Sequence, residues 1–358
     1  MNCTQLAKVL LYAQITWKDS LRDIETWLLA HESKLYHAWI KPVARSTLSY
    51  RNNKTDSSML ENLFYSVMWH YKNACIAMND PLGIPTVALD STLVSLALSQ
   101  YDRALHRTTK WGIRVHVGID VEDCIPRFAV IEKANVWDNE VAHKLVDNDK
   151  LRKWEMIVFD RYYVDFALWK KINKKEAFFV TRTKKNTDYT VFEENYVSEV
   201  WVKQDATIEL TGKKWVQEYD NLLRVVKYYD KKSEKIFTFI TNNHKLSAWT
   251  IAQIYLYRWK IEEFFRWIKQ NLKIKSFLWT SENAVKNQIW IAMIYYVLLH
   301  YLRSTARLWK RQVLKLARFI REKCMEKFSI AEIFALCRSK RSMCLSQTWP
   351  PQNSLFSA

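Results

Sequence analysis

Hydrophobic and polar residues follow two different periods along the chain. Up to about residue 80, apolar residues recur every three to four positions, a spacing typical of amphipathic helices. After Pro81 and Pro85 the pattern changes to short β-rich runs such as TVALDST (Thr86 to Thr92) and the alternating IRVHVGI (Ile113 to Ile119). The pattern therefore predicts a helical N-terminal region followed by a sheet.

Five strands are predicted in the first part of this sheet. RFAVIEKA (127–134) follows the first two at hairpin distance, so that three strands form an antiparallel meander. Next come a short helix, the fully apolar strand WEMIVFD (154–160), a second helix and the strand EAFFVTRT (176–183). This order matches the layout of a ribonuclease H-like core, an α/β fold in which helices flank a mixed sheet.

A β-rich segment separates this core from three long helices. Residues 184–243 carry short Val-, Thr- and Tyr-rich runs broken by polar turns, among them VSEVWVKQ and ATIEL. The helices are predicted over Ser247 to Leu272, Ser281 to Arg303 and about Thr305 to Lys327. We accordingly divide the chain into five regions: a helical N-terminal region (1–80), the first part of the core (81–183), the β-rich insertion (184–243), the second part of the core (244–304) and a basic helical C-terminal region (305–358).

The composition narrows the classes of partner and cofactor. A net charge of +18 over 358 residues favours a polyanionic partner, most commonly nucleic acid, over a solvated basic surface. The four glycines cannot form the glycine-rich loops that bind dinucleotides or nucleoside triphosphates. The longest apolar run, Ile289 to Leu299, is too short for a membrane span, and no signal peptide is apparent. We expect a cytoplasmic, nucleoid-associated protein.

Two aspartates lie at the ends of apolar strands. Asp90 follows TVAL and Asp160 follows MIVF. Because an unpaired charge is costly to bury, a carboxylate in such a position needs a hydrogen-bond donor, an ion pair or a bound cation. Taken singly, each could equally be a turn or capping residue, and Asp165 is interpreted as the cap of the following helix.

A third carboxylate comes from the segment YLYRWKIEEFFRWIK. Tyr255, Arg258, Glu262 and Lys269 are spaced three, four and seven residues apart, which places them within about 60° of one another on a helix. An apolar stripe runs beside this strip, so the strip borders the face that packs on the core. An ordinary Arg258–Glu262 pair on a solvated face is the alternative.

Three converging carboxylates predict a metal site. Two unit charges about 4 Å apart repel by about 4 kcal/mol at an effective dielectric constant of 20, and divalent cations remove that repulsion. Oxygen ligands favour Mg²⁺ or Mn²⁺, and sites with two such ions catalyse phosphoryl transfer. Asp90, Asp160 and Glu262 are therefore the predicted catalytic residues and metal ligands.

Basic and aromatic residues near these acids are candidates for DNA contacts. Tyr255, Arg258 and Lys269 can hold phosphates that flank the reacting one. Three further candidates for DNA binding follow a core strand, namely Arg182, Lys184 and Lys185. Trp201 and Trp215 are candidates for holding a base displaced from the stack, although core packing is the commoner role of tryptophan.

The spacing Y-x2-R-x3-E-x6-K resembles the Tyr-Arg-Glu-Lys signature of DDE transposases of the insertion sequence four family. VALDST and VFDRYYVDFA are similar to the segments around that family's first and second catalytic aspartates. ARSTLSYRN and TSENAVKNQIWIA are also similar to the family, and the resemblance extends over roughly residues 15–303. Tyr162 stands where the family usually has a small residue.

The resemblance implies a ribonuclease H-like core with a β-rich insertion before the Glu-bearing helix, and cut-and-paste transposition. One strand is nicked, its 3′-hydroxyl attacks the other strand to form a hairpin, and the hairpin is opened before strand transfer. The implied partners are double-stranded DNA, as terminal inverted repeats and target DNA, and a second copy of the chain in a synaptic complex. The resemblance also implies that the helical N-terminal region (1–80) is DNA-binding. Two other functions stay open: a catalytically silent DNA-binding protein derived from a transposase, and a ribonuclease H-like nuclease without strand transfer.

Overall fold

A computed structural model describes residues 1–75, 82–95, 112–183, 187–211, 219, 221–271, 281–305 and 313–323. The N-terminal part of the chain is helical. Its helices are α1 (Cys3–Ile15), α2 (Leu21–Ala30), α3 (Glu32–Leu35), α4 (Arg45–Lys54) and α5 (Ser58–Ala74). Six further helices follow in the described residues: α6 (Asp138–Asp147), α7 (Phe166–Lys174), α8 (Ala248–Tyr257), α9 (Trp259–Asn271), α10 (Glu282–Thr305) and α11 (Val313–Lys323).

Nine strands form one mixed sheet. They are β1 (Thr86–Ser95), β2 (Gly112–Asp120), β3 (Ile125–Lys133), β4 (Met156–Phe159), β5 (Phe178–Arg182), β6 (Tyr189–Glu194), β7 (Val202–Leu210), β8 (Leu223–Asp230) and β9 (Lys235–Thr241). Their order is β3-β2-β1-β4-β5-β9-β8-β7-β6. Strands β1 to β3 are antiparallel, β4 is parallel to β1, and β5 is parallel to β4. The predicted ribonuclease H-like fold class is confirmed.

The β-rich segment continues the sheet of the core. Strand β9 pairs antiparallel with β5, from Val180 opposite Thr241 to Arg182 opposite Phe239, and β8, β7 and β6 follow outward. The boundaries proposed between core and insertion stay predictions. The chain that leaves the core at β5 thus returns to it directly through β9.

Two hydrophobic cores lie on the two faces of the sheet. Alternate residues of a strand point to opposite faces, so Ala88 and Val158 belong to the core that the N-terminal helices and α10 share. Their neighbours Leu89 and Phe159 belong to the core formed with α6 and α7. All four residues of β4 are buried, as expected of a strand that has a neighbour on each side and helices above and below.

Two predicted elements are corrected. The helix predicted from Ser247 to Leu272 is divided at Arg258, where backbone bonds join residues three apart: Tyr255 O accepts from Arg258 N at 3.0 Å, and Arg258 O accepts from Ile261 N at 3.1 Å. Hydrophobic periodicity does not detect a single 3₁₀ turn, because the side-chain directions of an α-helix and a 3₁₀-helix barely differ over three residues.

The β-rich segment also differs from its prediction. VSEVWVKQ (197–204) and ATIEL (206–210) have the patterns of two strands, but β7 (Val202–Leu210) joins only the last three residues of the first to the whole of the second, with a register shift between Val202 and Gln204. Strand β6, at the edge of the sheet, was not identified from the sequence. Asp205, which separates the two runs in sequence, lies inside β7, where it is buried and paired with Arg224 of β8.

The apolar run near the C-terminus forms a buried helix. Residues 289–297 of α10 are all buried, and the helix packs against α1, α4 and α5. Across the ranges that the structure describes, no helix combines the length and the apolar character that a membrane crossing requires.

Gly118 lies in β2 where the Phe128 ring of β3 leaves no room for a side chain. We expect Gly118→Ala to lower the free energy of unfolding by about 1–3 kcal/mol, because overpacking displaces buried atoms. The measurement is urea denaturation. Gly112→Ala is the matched control on the same strand, since its Cβ would stand 3.1 Å from Leu93 Cδ1 and 3.2 Å from Ala134 Cβ, a milder approach. Equal losses in the two variants would contradict the steric explanation.

Asp123, in the turn between β2 and β3, has a raised pKa. Burial, with the nearby charge of Asp120 adding to it, raises the pKa of this carboxyl to about 7. The native state therefore holds a proton between about pH 4 and 7 that the unfolded chain releases, and stability falls as the pH rises through that window. Asp123→Asn has no such ionisation, so its free energy of unfolding relative to that of the wild type should rise by about 1–3 kcal/mol from pH 5 to pH 8.

Urea denaturation at both pH values measures this gain. The Asn side chain keeps an acceptor for the Ile125 backbone N–H, which lies 3.0 Å from Asp123 Oδ1. Asp188→Asn, at an exposed position, is the control and should change stability little at either pH. A constant difference between Asp123→Asn and wild type across the pH range would rule out the ionisation of Asp123 as the cause.

Candidate active site

Asp90 and Asp160 lie side by side on two neighbouring strands inside the sheet. Leu89 of β1 is opposite Phe159 of the parallel strand β4; the residue after Leu89 is Asp90, still within β1, and the residue after Phe159 is Asp160, just beyond the end of β4. One oxygen of each carboxylate accepts the backbone N–H of the following residue: Asp90 Oδ1 from Ser91 at 2.8 Å, and Asp160 Oδ1 from Arg161 at 2.7 Å. These bonds fix the orientation of both side chains.

Arg258 joins the sheet to the Glu-bearing helix. Its Nη2 donates to Glu262 Oε1 at 2.8 Å, and its Nη1 lies 3.4 Å from Asp90 Oδ2. The guanidinium is buried, whereas the Glu262 side chain is about one-third exposed. The pair is therefore not the solvated surface pair of the alternative interpretation, because the same cation also faces a carboxylate of the sheet.

Burial and the neighbouring charges shift the pKa values of three residues of the site. Burial raises the pKa of Asp90 to about 6; the Ser91 N–H and Arg258 oppose this rise, while Asp160 and Glu262 add to it. Burial also raises the pKa of the Tyr255 phenol, to about 12. Burial alone would lower the pKa of Arg258, but the surrounding Tyr255 and carboxylates raise it overall. The Tyr255 hydroxyl consequently keeps its proton near neutral pH.

The four residues of the polar strip have different environments. Tyr255 is buried and its ring centroid lies 4.6 Å from that of Phe239 on β9. Lys269 is exposed and follows Glu262 by seven residues along α9, about 10 Å at 1.5 Å per residue. The structure thus joins Arg258 and Glu262 to Asp90, whereas Lys269 lies farther along the helix.

The other predicted DNA-contacting residues lie partly outside the described residues. Arg182 ends β5, and its guanidinium carbon lies 4.8 Å from the ring centroid of Phe237 on β9. Lys184, Lys185 and Trp215 belong to segments that the structure does not describe. Trp201 stacks on Tyr229 at 6.2 Å between centroids and lies beneath the Lys231 ammonium.

The donor set fits a hard divalent cation in its chemistry. Asp90, Asp160 and Glu262 offer only carboxylate oxygens, which magnesium and manganese prefer. As the side chains stand in the described part of the chain, no three His, Cys, Asp or Glu residues are close enough together to hold an ion. The positive charge between Asp90 and Glu262 is supplied by Arg258.

Asp138 is a residue of the site that sequence reasoning missed. Its Oδ1 accepts the Ser91 hydroxyl at 2.8 Å, and both of its oxygens accept Arg114 Nη1 at 2.9 Å. Because Ser91 follows Asp90, this network holds the backbone of β1 where the carboxylate emerges. His116 is buried beside it, and burial lowers its pKa to about 4. In sequence Asp138 looks only like an acidic residue in the first turn of a helix.

A buried ion pair positions the entry to the Glu-bearing segment. Arg224 of β8 donates to both carboxylate oxygens of Asp205 in β7 at 2.7 Å, with both side chains buried. Arg224 Nη1 also donates to the carbonyl oxygen of Leu246 at 2.6 Å and lies 3.3 Å from that of Asn243. These carbonyls belong to the loop that leads into α8, so the β-rich segment fixes where that helix begins.

Two asparagines complete this junction. Asn242 Oδ1 accepts the Phe179 backbone N–H of β5 at 2.8 Å. Asn243 Oδ1 accepts the backbone N–H groups of Lys245 and Leu246 at 2.9 Å each. The loop is therefore tied both to the core strand and to its own next turn.

Removing Arg224 should destabilise the fold and disturb the start of α8. We expect Arg224→Met to lower the free energy of unfolding by about 3–5 kcal/mol, because Asp205 becomes a buried, uncompensated charge. Thermal or urea denaturation measures the loss. The double variant Arg224→Met/Asp205→Leu should recover part of it, and a double variant no better than the single one would contradict the charge explanation.

Comparison with known families gives two matches. A family model described as a transposase DDE domain matches residues 81–298, well over half of the chain, and a domain of unknown function, DUF4372, matches residues 1–41. The first match includes Asp90, Asp160 and Glu262. The whole N-terminal helical region (1–80) lies outside this first match.

Three curated proteins are similar in sequence. The "Putative transposase y4zB" of Sinorhizobium fredii is 36% identical over 55% of this chain and 54% of its own. The "Probable transposase for insertion sequence element IS5377" of Geobacillus stearothermophilus is 30% identical over 66% of this chain and 62% of its own. The "Putative transposase for insertion sequence element IS4SA" of a Synechocystis strain is 25% identical over 72% and 71%. The alignments thus span somewhat more than half the length of the first two relatives.

Among solved structures, a piggyBac transposase synaptic complex with hairpin DNA, determined by cryo-electron microscopy, is similar at 12% sequence identity. The TM-score is 0.45, and the alignment covers 98% of this chain and 77% of that one.

Proposed function

The chain belongs to the DDE transposase family, and from that premise we propose that it is a DNA transposase that cuts and joins strands at the ends of an insertion sequence. The observation that carries the proposal is the arrangement around Arg258. This one buried guanidinium faces Asp90 on the sheet and Glu262 on the helix, while Asp160 follows the strand beside Asp90. Carboxylates so placed suit phosphoryl transfer.

The family implies a divalent metal, and we propose Mg²⁺ or Mn²⁺, with two ions. Asp90, Asp160 and Glu262 would hold them. Ions bound there would supply Lewis-acid charge for phosphoryl transfer. Burial raises the pKa of Asp90, and the nearby Asp160 and Glu262 add to the rise, so a cation bound here would stabilise the charged carboxylate.

The proposed reaction has four steps of one type. Water attacks a phosphorus atom of one strand and the bond to the 3′-oxygen breaks. The freed 3′-hydroxyl attacks the opposite strand to form a hairpin, water opens the hairpin, and the 3′-hydroxyl then joins target DNA. Each step forms one P–O bond and breaks another, so one set of side chains can serve all four.

Neighbouring side chains would hold the DNA. Arg258 can form paired hydrogen bonds with a phosphate beside the carboxylates. Tyr255, which stays protonated near neutral pH, can donate a hydrogen bond to the same or an adjacent phosphate. Lys269, exposed farther along α9, and Arg182 at the end of β5 would contact phosphates away from the reacting one. Lys184 and Lys185 extend this proposal to the segment after β5.

We propose that the active form is a homodimer that holds two transposon ends. The relatives named for insertion sequences support DNA ends as the substrate, and the net charge of +18 suits extended contact with duplex DNA. A second copy would bring the second end into the same complex.

Variants of the three acids test the catalytic proposal. Asp90→Asn, Asp160→Asn and Glu262→Gln should each abolish cleavage of duplexes taken from the DNA that flanks the gene, with Mg²⁺ present. Binding to the same duplexes should stay within about twofold of wild type, because phosphate contacts rather than the acids supply affinity. Gel analysis of labelled ends and fluorescence anisotropy measure the two quantities.

Asp165→Asn is the matched control. Asp165 lies five residues after Asp160, but its carboxylate caps α7 by accepting the Leu168 N–H at 3.0 Å, a bond that asparagine keeps. Cleavage at the wild-type rate by any of the three acid variants would sink the catalytic assignment. Cleavage without hairpin ends would favour a nuclease without strand transfer, and binding without any cleavage by the wild type would favour a silent DNA-binding protein.

A further inference from the structure

Helix α4 presents a polar, positively charged face to solvent. Its residues Ser46, Thr47, Tyr50, Arg51 and Lys54 are all exposed. With Arg45 the helix carries three positive charges and no carboxylate, and its sequence, RSTLSYRNNK, contains one aliphatic residue. The exposed residues cover an arc of about 140° at 100° per residue.

The opposite side of α4 fixes the helix to the body of the protein. Leu48 and Asn52 are buried, and Asn287 Nδ2 of α10 donates to Asn52 Oδ1 at 3.0 Å. Ser281, just before α10, donates to Asn53 Oδ1 at 2.6 Å. At the other end, the Arg45 backbone N–H donates to Glu25 Oε1 of α2 at 3.0 Å. The orientation of the exposed face is therefore set by contacts with both α2 and α10.

The residues on this face are poor choices for a helix that only meets water. Serine, threonine and tyrosine have lower helix propensity than alanine, glutamate or lysine, and an exposed surface helix usually mixes charges of both signs. Their common property is the ability to donate hydrogen bonds, together with positive charge. That combination is suited to a surface of acceptors and negative charge, which is what duplex DNA offers.

We propose that α4 docks in the major groove of duplex DNA, an assignment that rests on the proposed function. A helix about 10–12 Å across fits a groove about 12 Å wide. Arg51 and Lys54 bind phosphates or guanine edges, and Thr47 and Tyr50 reach the remaining acceptors of the groove. Because Asn52 and Asn53 tie α4 to α10, DNA bound on this face is held at a defined position relative to the core.

The experiment compares duplex binding by two double variants. Arg51→Gln/Lys54→Gln removes two charges from α4 while keeping good helix formers. Lys153→Gln/Lys174→Gln removes two exposed charges at the opposite end of the parallel strands from Asp160, and is the control. The probes are fluorescein-labelled duplexes from the DNA flanking the gene, titrated at several salt concentrations.

We expect the α4 variant to bind about tenfold more weakly, with a salt slope less negative by about two. The control should bind within about twofold of wild type. Dimethyl sulfate footprinting tests the groove, because guanine N7 lies in the major groove: wild type should protect N7 positions, and the α4 variant should not. Circular dichroism should show that both variants are folded, since the altered side chains are exposed.

Wild-type affinity of the α4 variant, or unchanged N7 protection, would overturn the proposal. So would a loss of the dimer, by light scattering, with DNA affinity unchanged, because α4 would then bind a second copy of the chain. The cleavage assay separates this proposal from the catalytic one. If the wild type never cleaves but the α4 variant binds duplex more weakly than the control, the catalytic proposal fails and the α4 proposal stands. If the wild type cleaves and the α4 variant binds normally, only the α4 proposal fails.

Discussion

The contact between Arg258 and two carboxylates links the sheet to the helix that completes the site. Asp90 is on β1 and Glu262 is on α9, and one buried guanidinium lies against both. Without a cation in this place the two acids would face each other in surroundings that already raise the pKa of Asp90. The tightened turn at Arg258 and the anchored loop before α8 both serve to hold this contact.

Much of the fold and site follows from local sequence patterns. Asp90 and Asp160 could be identified as candidates because each lies at the end of an apolar strand in the sequence, where a carboxylate needs a partner. Glu262 could be added because its helix shows a polar strip beside an apolar stripe. These inferences need only the periods of strands and helices.

The features that the sequence does not reveal depend on contacts between residues that are far apart along the chain. Asp138 contributes to the site through Ser91, 47 residues away. Asp205 is a strand residue only because Arg224 neutralises it from the next strand. The pairing of β5 with β9, which joins the β-rich segment to the core sheet, also cannot be predicted from hydrophobic periodicity. Each of the two segments alone has the pattern of a separate sheet.

The bond between Asn52 and Asn287 spans 235 residues of chain, and it bears on how the protein is made. At a synthesis rate of about 5–20 residues per second, the N-terminal helices wait about 10–50 s before α10 exists to cover them. During that time their apolar faces lack the partner that buries them, so nascent chains are open to chaperones and to aggregation. The surface formed by α4 acquires its final orientation only when translation has passed α10, and a ribosome stalled earlier carries helices that are not yet in place.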